Sequence, residues 1–163
     1  MAESKHAAAE SAERQLVVTR IFEAPRDLVF KAWTERERAL RWWGPQGFTV
    51  PFLELAARPG EAWRARMRSP EGKAYSQHGI LRELDEPERL VFTSFWDDDP
   101  GGEMLVTVLL MARGRKTEMV FRKGPFQSVE SRDAEEEGWS ESFDRLDDYL
   151  ASVRDEQVAA NAA

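Results

Sequence analysis

The feature that most constrains the fold is a stripe near the C-terminal end of the chain. Trp139, Phe143, Leu146, Leu150 and Val153 recur at steps of four, three, four and three, the spacing that lines up one side of an α-helix. The positions between them are largely Asp, Glu, Ser and Arg, so the opposite side belongs in water. A helix with one broad apolar side must lay it on something. The 163 residues supply one domain in which to find that partner.

The partner is legible between Phe48 and Lys123. Six runs follow one another there: FTVPFLELAA, EAWRARMRS, KAYSQHGILREL, RLVFTSFW, EMLVTVLLMA and KTEMVFRK, separated by RPG, PEG, DEPE, DDDPGG and RGR. Short β-prone runs with turn residues at hairpin length predict an antiparallel meander. Upstream, QLVVTRIF (15–22) is rich in β-branched residues and predicts one more strand. Pro25 then stands at the first position of a helix carrying Leu28, Val29, Ala32 and Trp33 on one side. Thr34 and Glu37, at capping-box spacing, predict a second short helix, which Gly44 stops.

This order predicts an α+β fold in which a curved antiparallel sheet is covered on its concave face by the long C-terminal helix. The two short helices after the first strand plug one end. The domain is expected to span 15–153, between alanine- and charge-rich tails at 1–14 and 154–163.

Composition removes several function classes. There is no cysteine, hence no disulfide framework, thiol nucleophile or thiolate metal site. A formal net charge of −7 argues against a nucleic-acid partner, which calls for a basic face. No apolar run reaches membrane-spanning length, and the first residues lack the apolar core of a signal peptide, so a cytoplasmic location without membrane contact is expected. Neither a nucleophile elbow, a phosphate loop nor a dinucleotide fingerprint occurs, so no cofactor is expected. His78 is the sole histidine outside the first residues; it reads as a structural residue rather than a catalyst, and no second soft ligand exists to complete a metal site. No catalytic residue is assigned.

The residues that invite a binding function are aromatic. RWWGPQGF (41–48) puts two tryptophans where the chain must turn. Neighbours on a helix point about 100° apart, so Trp42 and Trp43 are not expected to face the same neighbour. One is expected to pack on the C-terminal helix. The other either lines the mouth of a cavity between helix and sheet or completes a plug. Candidate cavity residues are Trp33, Trp42, Trp43, Phe48, Trp63, Tyr75, His78, Trp96, Met111, Met119, Phe121, Trp139 and Phe143. Candidate polar groups are Arg20, Tyr75, Gln77, His78 and Glu83, with the inward strand phase left open. On EAWRARMRS, period-two alternation places Arg64, Arg66 and Arg68 on one face and Trp63, Ala65 and Met67 on the other. The arginine face is either simply solvated or a docking surface for an acidic partner.

Three stretches carry a family resemblance: TRIFEAPRDLVFKAWTERERALRWWGPQGFT (19–49), GILRELDEPERLVFTSFW (79–96) and EEGWSESFDRLDDYL (136–150). In this order they resemble the helix-grip fold of the START and Bet-v-1-like (SRPBCC) superfamily. Within it they are similar to the branch named after the activator of the 90-kDa heat-shock protein ATPase. The resemblance implies a cavity between sheet and C-terminal helix, and a small hydrophobic or amphipathic ligand as the first expectation. The alternative is regulation of the 90-kDa chaperone, although the name-giving protein makes its main chaperone contact through a companion domain for which this chain has no room. A third is a cyclase- or dehydratase-like activity, as in more distant members, for which no clear acid–base pair is visible.

Overall fold

The computed structural model describes residues 12–162. Seven strands, β1 (Leu16–Phe22), β2 (Thr49–Glu54), β3 (Ala62–Arg68), β4 (Ala74–Asp85), β5 (Arg89–Trp96), β6 (Asp99–Arg113) and β7 (Lys116–Gly124), form one sheet in the order β1-β7-β6-β5-β4-β3-β2. Every neighbouring pair is antiparallel. Two short helices, α1 (Arg26–Thr34) and α2 (Arg36–Ala39), follow β1, and the long helix α3 (Val129–Ala162) ends the chain. This is the helix-grip architecture that the stripe and the meander predict.

The inner face of the sheet is set by phase. On β3, Trp63, Ala65 and Met67 are buried while Arg64, Arg66 and Arg68 are exposed. On β7, Thr117, Met119, Phe121 and Lys123 are buried. Against these strands α3 lays Trp139, Phe143, Leu146 and Leu150, all buried. At the edge, Arg20 of β1 ties the helix down: its guanidinium donates to Asp144 Oδ1 at 2.7 Å and to the Ser140 carbonyl at 3.0 Å.

Four details differ from the sequence-based expectation. β6 begins at Asp99, paired with Trp96, so DDDPGG is not a loop: the hairpin turns on Asp97 and Asp98, and the strand runs on through the glycines. Thr34 does not cap α2; its hydroxyl donates to the Phe30 carbonyl inside α1 at 2.9 Å, and Glu35 takes the cap position without a side-chain bond. Beyond Val153, α3 continues to Ala162, where alanines favour helix over the expected tail. Residues 12–14 are also held, since Phe126 N–H donates to the Arg14 carbonyl at 2.9 Å. The rest of the expected N-terminal tail, 1–11, lies outside the described residues.

Candidate functional site

The two tryptophans of the corner sit in the last helical turn after α2: the N–H groups of Trp42 and Trp43 both donate to the Ala39 carbonyl. Gly44 and Gly47 then take positive φ values of 92° and 83°, a backbone region open to glycine at little cost. The tightness of the turn has a second reason: a Cβ at Gly44 would lie 3.1 Å from Met67 Sδ. Three carbonyls of the turn, one of which (Pro45) also accepts the Phe48 N–H, are gathered by one guanidinium group. Arg145 Nη1, from α3, donates to the carbonyls of Trp43 (3.1 Å), Gly44 (2.8 Å) and Pro45 (3.2 Å). Burial lowers the Arg145 pKa from its ordinary value.

Trp42 and Trp43 divide the two roles, though less cleanly than expected. Trp42 is 0% exposed, donates Nε1–H to the Ala32 carbonyl at 3.0 Å and packs edge-on to Trp33 at 4.8 Å. It is the plug. Trp43 is 3% exposed and touches Trp33, Trp63 and Trp139. It is almost as enclosed as Trp42, yet it walls two cavities. One, of about 60 Å³ and partly open to solvent, lies between Trp43, Met67, Gln77, Trp96, Glu135 and Trp139. The other, of about 40 Å³, lies between Trp33, Trp43, Leu55, Trp63, Leu81 and Phe92. Each has room for a few waters.

A residue in the wall of each cavity carries a polar atom with no partner: Gln77, through Oε1, at the first, and Trp33, through Nε1–H, at the second; both atoms are buried and unpaired. Trp63 Nε1–H, by contrast, is satisfied: it donates to the Thr93 carbonyl at 2.8 Å. At the rim of the larger cavity, Trp96 and Trp139 donate Nε1–H to Glu135, at 3.2 and 3.0 Å. Glu135 also receives Lys123 Nζ, a lysine with no exposed side-chain surface. Desolvation lowers the Lys123 pKa from its ordinary value of 10.5, and the Glu135 charge opposes that shift in part.

The thirteen aromatic, histidine and methionine candidates therefore separate. Trp33, Trp43, Trp63, Trp96 and Trp139 line the cavities. Trp42, Met119, Phe121 and Phe143 are core behind them. Phe48 and Tyr75 are half-buried and continue a file of rings to Trp96, with centroids 5.9 and 6.4 Å apart. His78 and Met111 are corrections. His78 is out of phase with Gln77; on the outer face it stacks on Phe95 and its Nδ1 lies 2.6 Å from Asp97. Met111 is out of phase with the buried Val106, Val108 and Leu110 and meets Arg113 outside. Among the polar candidates, Glu83 also faces out, paired with Arg89.

Sequence reasoning missed Lys123, Glu135 and Arg145. Lys123 had a readable signal, because it shares the period-two phase of Thr117, Met119 and Phe121. Glu135 precedes Trp139 by one helical turn, on the same side.

Residues 23–151 match the family model described as activator of Hsp90 ATPase homolog 1-like protein. The chain belongs to that family. Solved structures agree on the fold. The AHSA1 protein of Silicibacter pomeroyi superposes with a TM-score of 0.77 at 29% identity, over 84% of this chain and 97% of its own. A protein from Chromobacterium violaceum gives 0.79 at 23% identity, over 84% and 96%. One from Nitrosomonas europaea gives 0.76 at 23%, over 88% and 97%. No curated protein matches the chain. Among the described residues, no helix is long and apolar enough to cross a membrane.

Proposed function

We propose that this family member is a binding module for a small, mainly apolar molecule bearing a hydrogen-bond donor, held between the sheet and α3 beside Trp43. Gln77 carries the proposal. It is 4% exposed, its side-chain carbonyl is buried without a partner, and the residue lines a cavity walled mainly by rings and Met67, with Glu135 and Ser142 as the other polar side chains. An unpaired buried acceptor costs about 1–3 kcal/mol, and a ligand donor would recover that. A cavity of about 60 Å³ is far below the roughly 300–1,000 Å³ of ordinary ligand sites, so binding requires the corner to open. Trp43, shared by both cavities, is the ring that has to move. The test uses benzamide and toluene, two probes of similar size, followed by tryptophan fluorescence. Benzamide, which carries the donor, is expected to bind more tightly than toluene, and Gln77→Met to erase the difference. Equal binding of the two by the unaltered protein would sink the reading.

The exposed arginines favour one second reading, regulation of the 90-kDa chaperone that the family description names. Arg64, Arg66 and Arg68 stand on the outer face, and Arg66 pairs in register with Phe52, which is 44% exposed. A basic stripe beside an exposed ring suits an acidic, partly apolar partner. A saturable rise in the ATPase rate of the host's own chaperone, lost when all three arginines become alanine, would support this reading. An unchanged rate would remove it.

A further inference from the structure

Lys123 ends the inward phase of β7 and has no exposed side-chain surface. Its ammonium lies 5.5, 5.7 and 6.0 Å from the ring centroids of Trp96, Trp139 and Phe126. Ring faces soften the burial of a cation, but such a group still needs an anion. Glu135 supplies it. The same carboxylate accepts the indole N–H of Trp139 on Oε1 and that of Trp96 on Oε2. Three donors, one of them charged, thus converge on one carboxylate from β5, β7 and α3.

The partners are not equally fixed. The Lys123 side chain is 0% exposed, whereas that of Glu135 is 15% exposed and reaches in from the helix surface. The glutamate can swing to water by side-chain rotation; the lysine cannot leave without unpacking β7. Glu135 and Trp96 also line both the larger of the two cavities beside Trp43 and a third one of about 140 Å³ walled by Met104 and Phe126. The carboxylate therefore stands between two spaces that its departure would join.

We propose that Lys123, Trp96 and Trp139 form a carboxylate-binding subsite kept shut by Glu135, and that the molecule taken up is a small organic acid with an apolar body that also carries the hydrogen-bond donor Gln77 calls for. This rests on the cavity reading above and adds the charge of the ligand. The exchange keeps one anion beside one ammonium, and Glu135 gains full hydration as it leaves. The overall charge of −7 would repel an acid from most of this surface, so recognition depends on the buried cation.

The test compares benzoate with the neutral isostere benzamide at constant ionic strength, by thermal melt and tryptophan fluorescence. It uses the unaltered chain and the variants E135A, E135Q and K123M. Removing the resident carboxylate is expected to tighten benzoate binding about tenfold or more in E135A, with benzamide changed less than about twofold. E135Q, which keeps a side chain able to accept the indole N–H groups, is expected to move the same way and decides the matter where E135A does not fold. K123M is expected to lose the preference for benzoate while still binding benzamide, which also reports that it is folded. Equal affinity of E135A and E135Q for the two probes, or a benzoate preference retained in K123M, overturns the cradle and leaves the cavity reading intact. Failure of both probes in every form overturns both.

Discussion

The interior has two ends that differ in how completely they are finished. Toward β1 and β7, Phe22, Met119, Phe121, Phe143, Leu146 and Leu150 are buried, and the polar group among them, Thr117, donates to the Ala24 carbonyl at 2.7 Å. Toward β3 and β4, the same helix and sheet enclose two small cavities and two unpaired polar atoms, and Glu135 at the rim of one cavity pairs there with Lys123, which reaches in from the last residues of β7. Hydrophobic burial alone explains the first end. The second retains features that a core selected only for stability would remove, because buried polar groups are tolerated where they are paired or where they act.

Truncation at the finished end is the sharpest way to break this comparison. Phe143→Ala should destabilise by about 3–5 kcal/mol, the cost of removing a large ring from a packed core, read from a chemical melt. A loss near zero would mean that α3 does not cover the sheet, and the contrast between the ends would disappear.

The ion pair makes a pH-dependent prediction. In the unfolded chain Lys123 titrates at its ordinary value, 10.5, whereas burial lowers its pKa in the fold. Between the lowered value and 10.5 the unfolded chain binds more protons, so this residue's contribution to stability rises with pH across that window. Melts on the alkaline side should show the rise in the unaltered protein and a flatter profile in K123M. Identical slopes would mean that the ammonium is not held in a desolvated place.

The smallest effect is also the most discriminating. Replacing Gln77 by methionine removes an unpaired acceptor and keeps the volume, so stability should stay within about 1 kcal/mol or rise. A protein that becomes no less stable yet binds benzamide less tightly would mark Gln77 as retained for a ligand. A loss of several kcal/mol would instead give it a structural role like that of the residues at the finished end.

The fold was legible because its signals were periodic. The stripe from Trp139 to Val153 and the alternation in EAWRARMRS each fix a face without help from tertiary contacts. Met111 was misplaced because EMLVTVLLMA is apolar in both phases; Leu105 and Leu109 share its outer phase, so hydrophobicity could not choose the inward side. His78 was misplaced because Gln77 beside it is equally polar, and a register irregularity follows at Leu81/Glu83. The roles of Glu135 and Arg145 were missed for another reason, although Glu135 shares the side of Trp139. Each reads as one more charge on an acidic helix, and its role comes from residues far away in sequence: Lys123, and the carbonyls of 43–45.

The guanidinium that gathers those three carbonyls makes the corner and the helix a single mechanical part. The backbone at Trp43 cannot shift aside as a loose loop would, because its carbonyl is fastened to Arg145; opening the corner by more than a rotation of the ring drags α3 along. From Arg145 to Ala162 the helix extends about 25 Å, so a tilt of a few degrees at the corner carries its far end through roughly 2 Å. An occupant too small to be seen from outside would thereby be announced at the opposite end of the molecule, with the helix as the pointer.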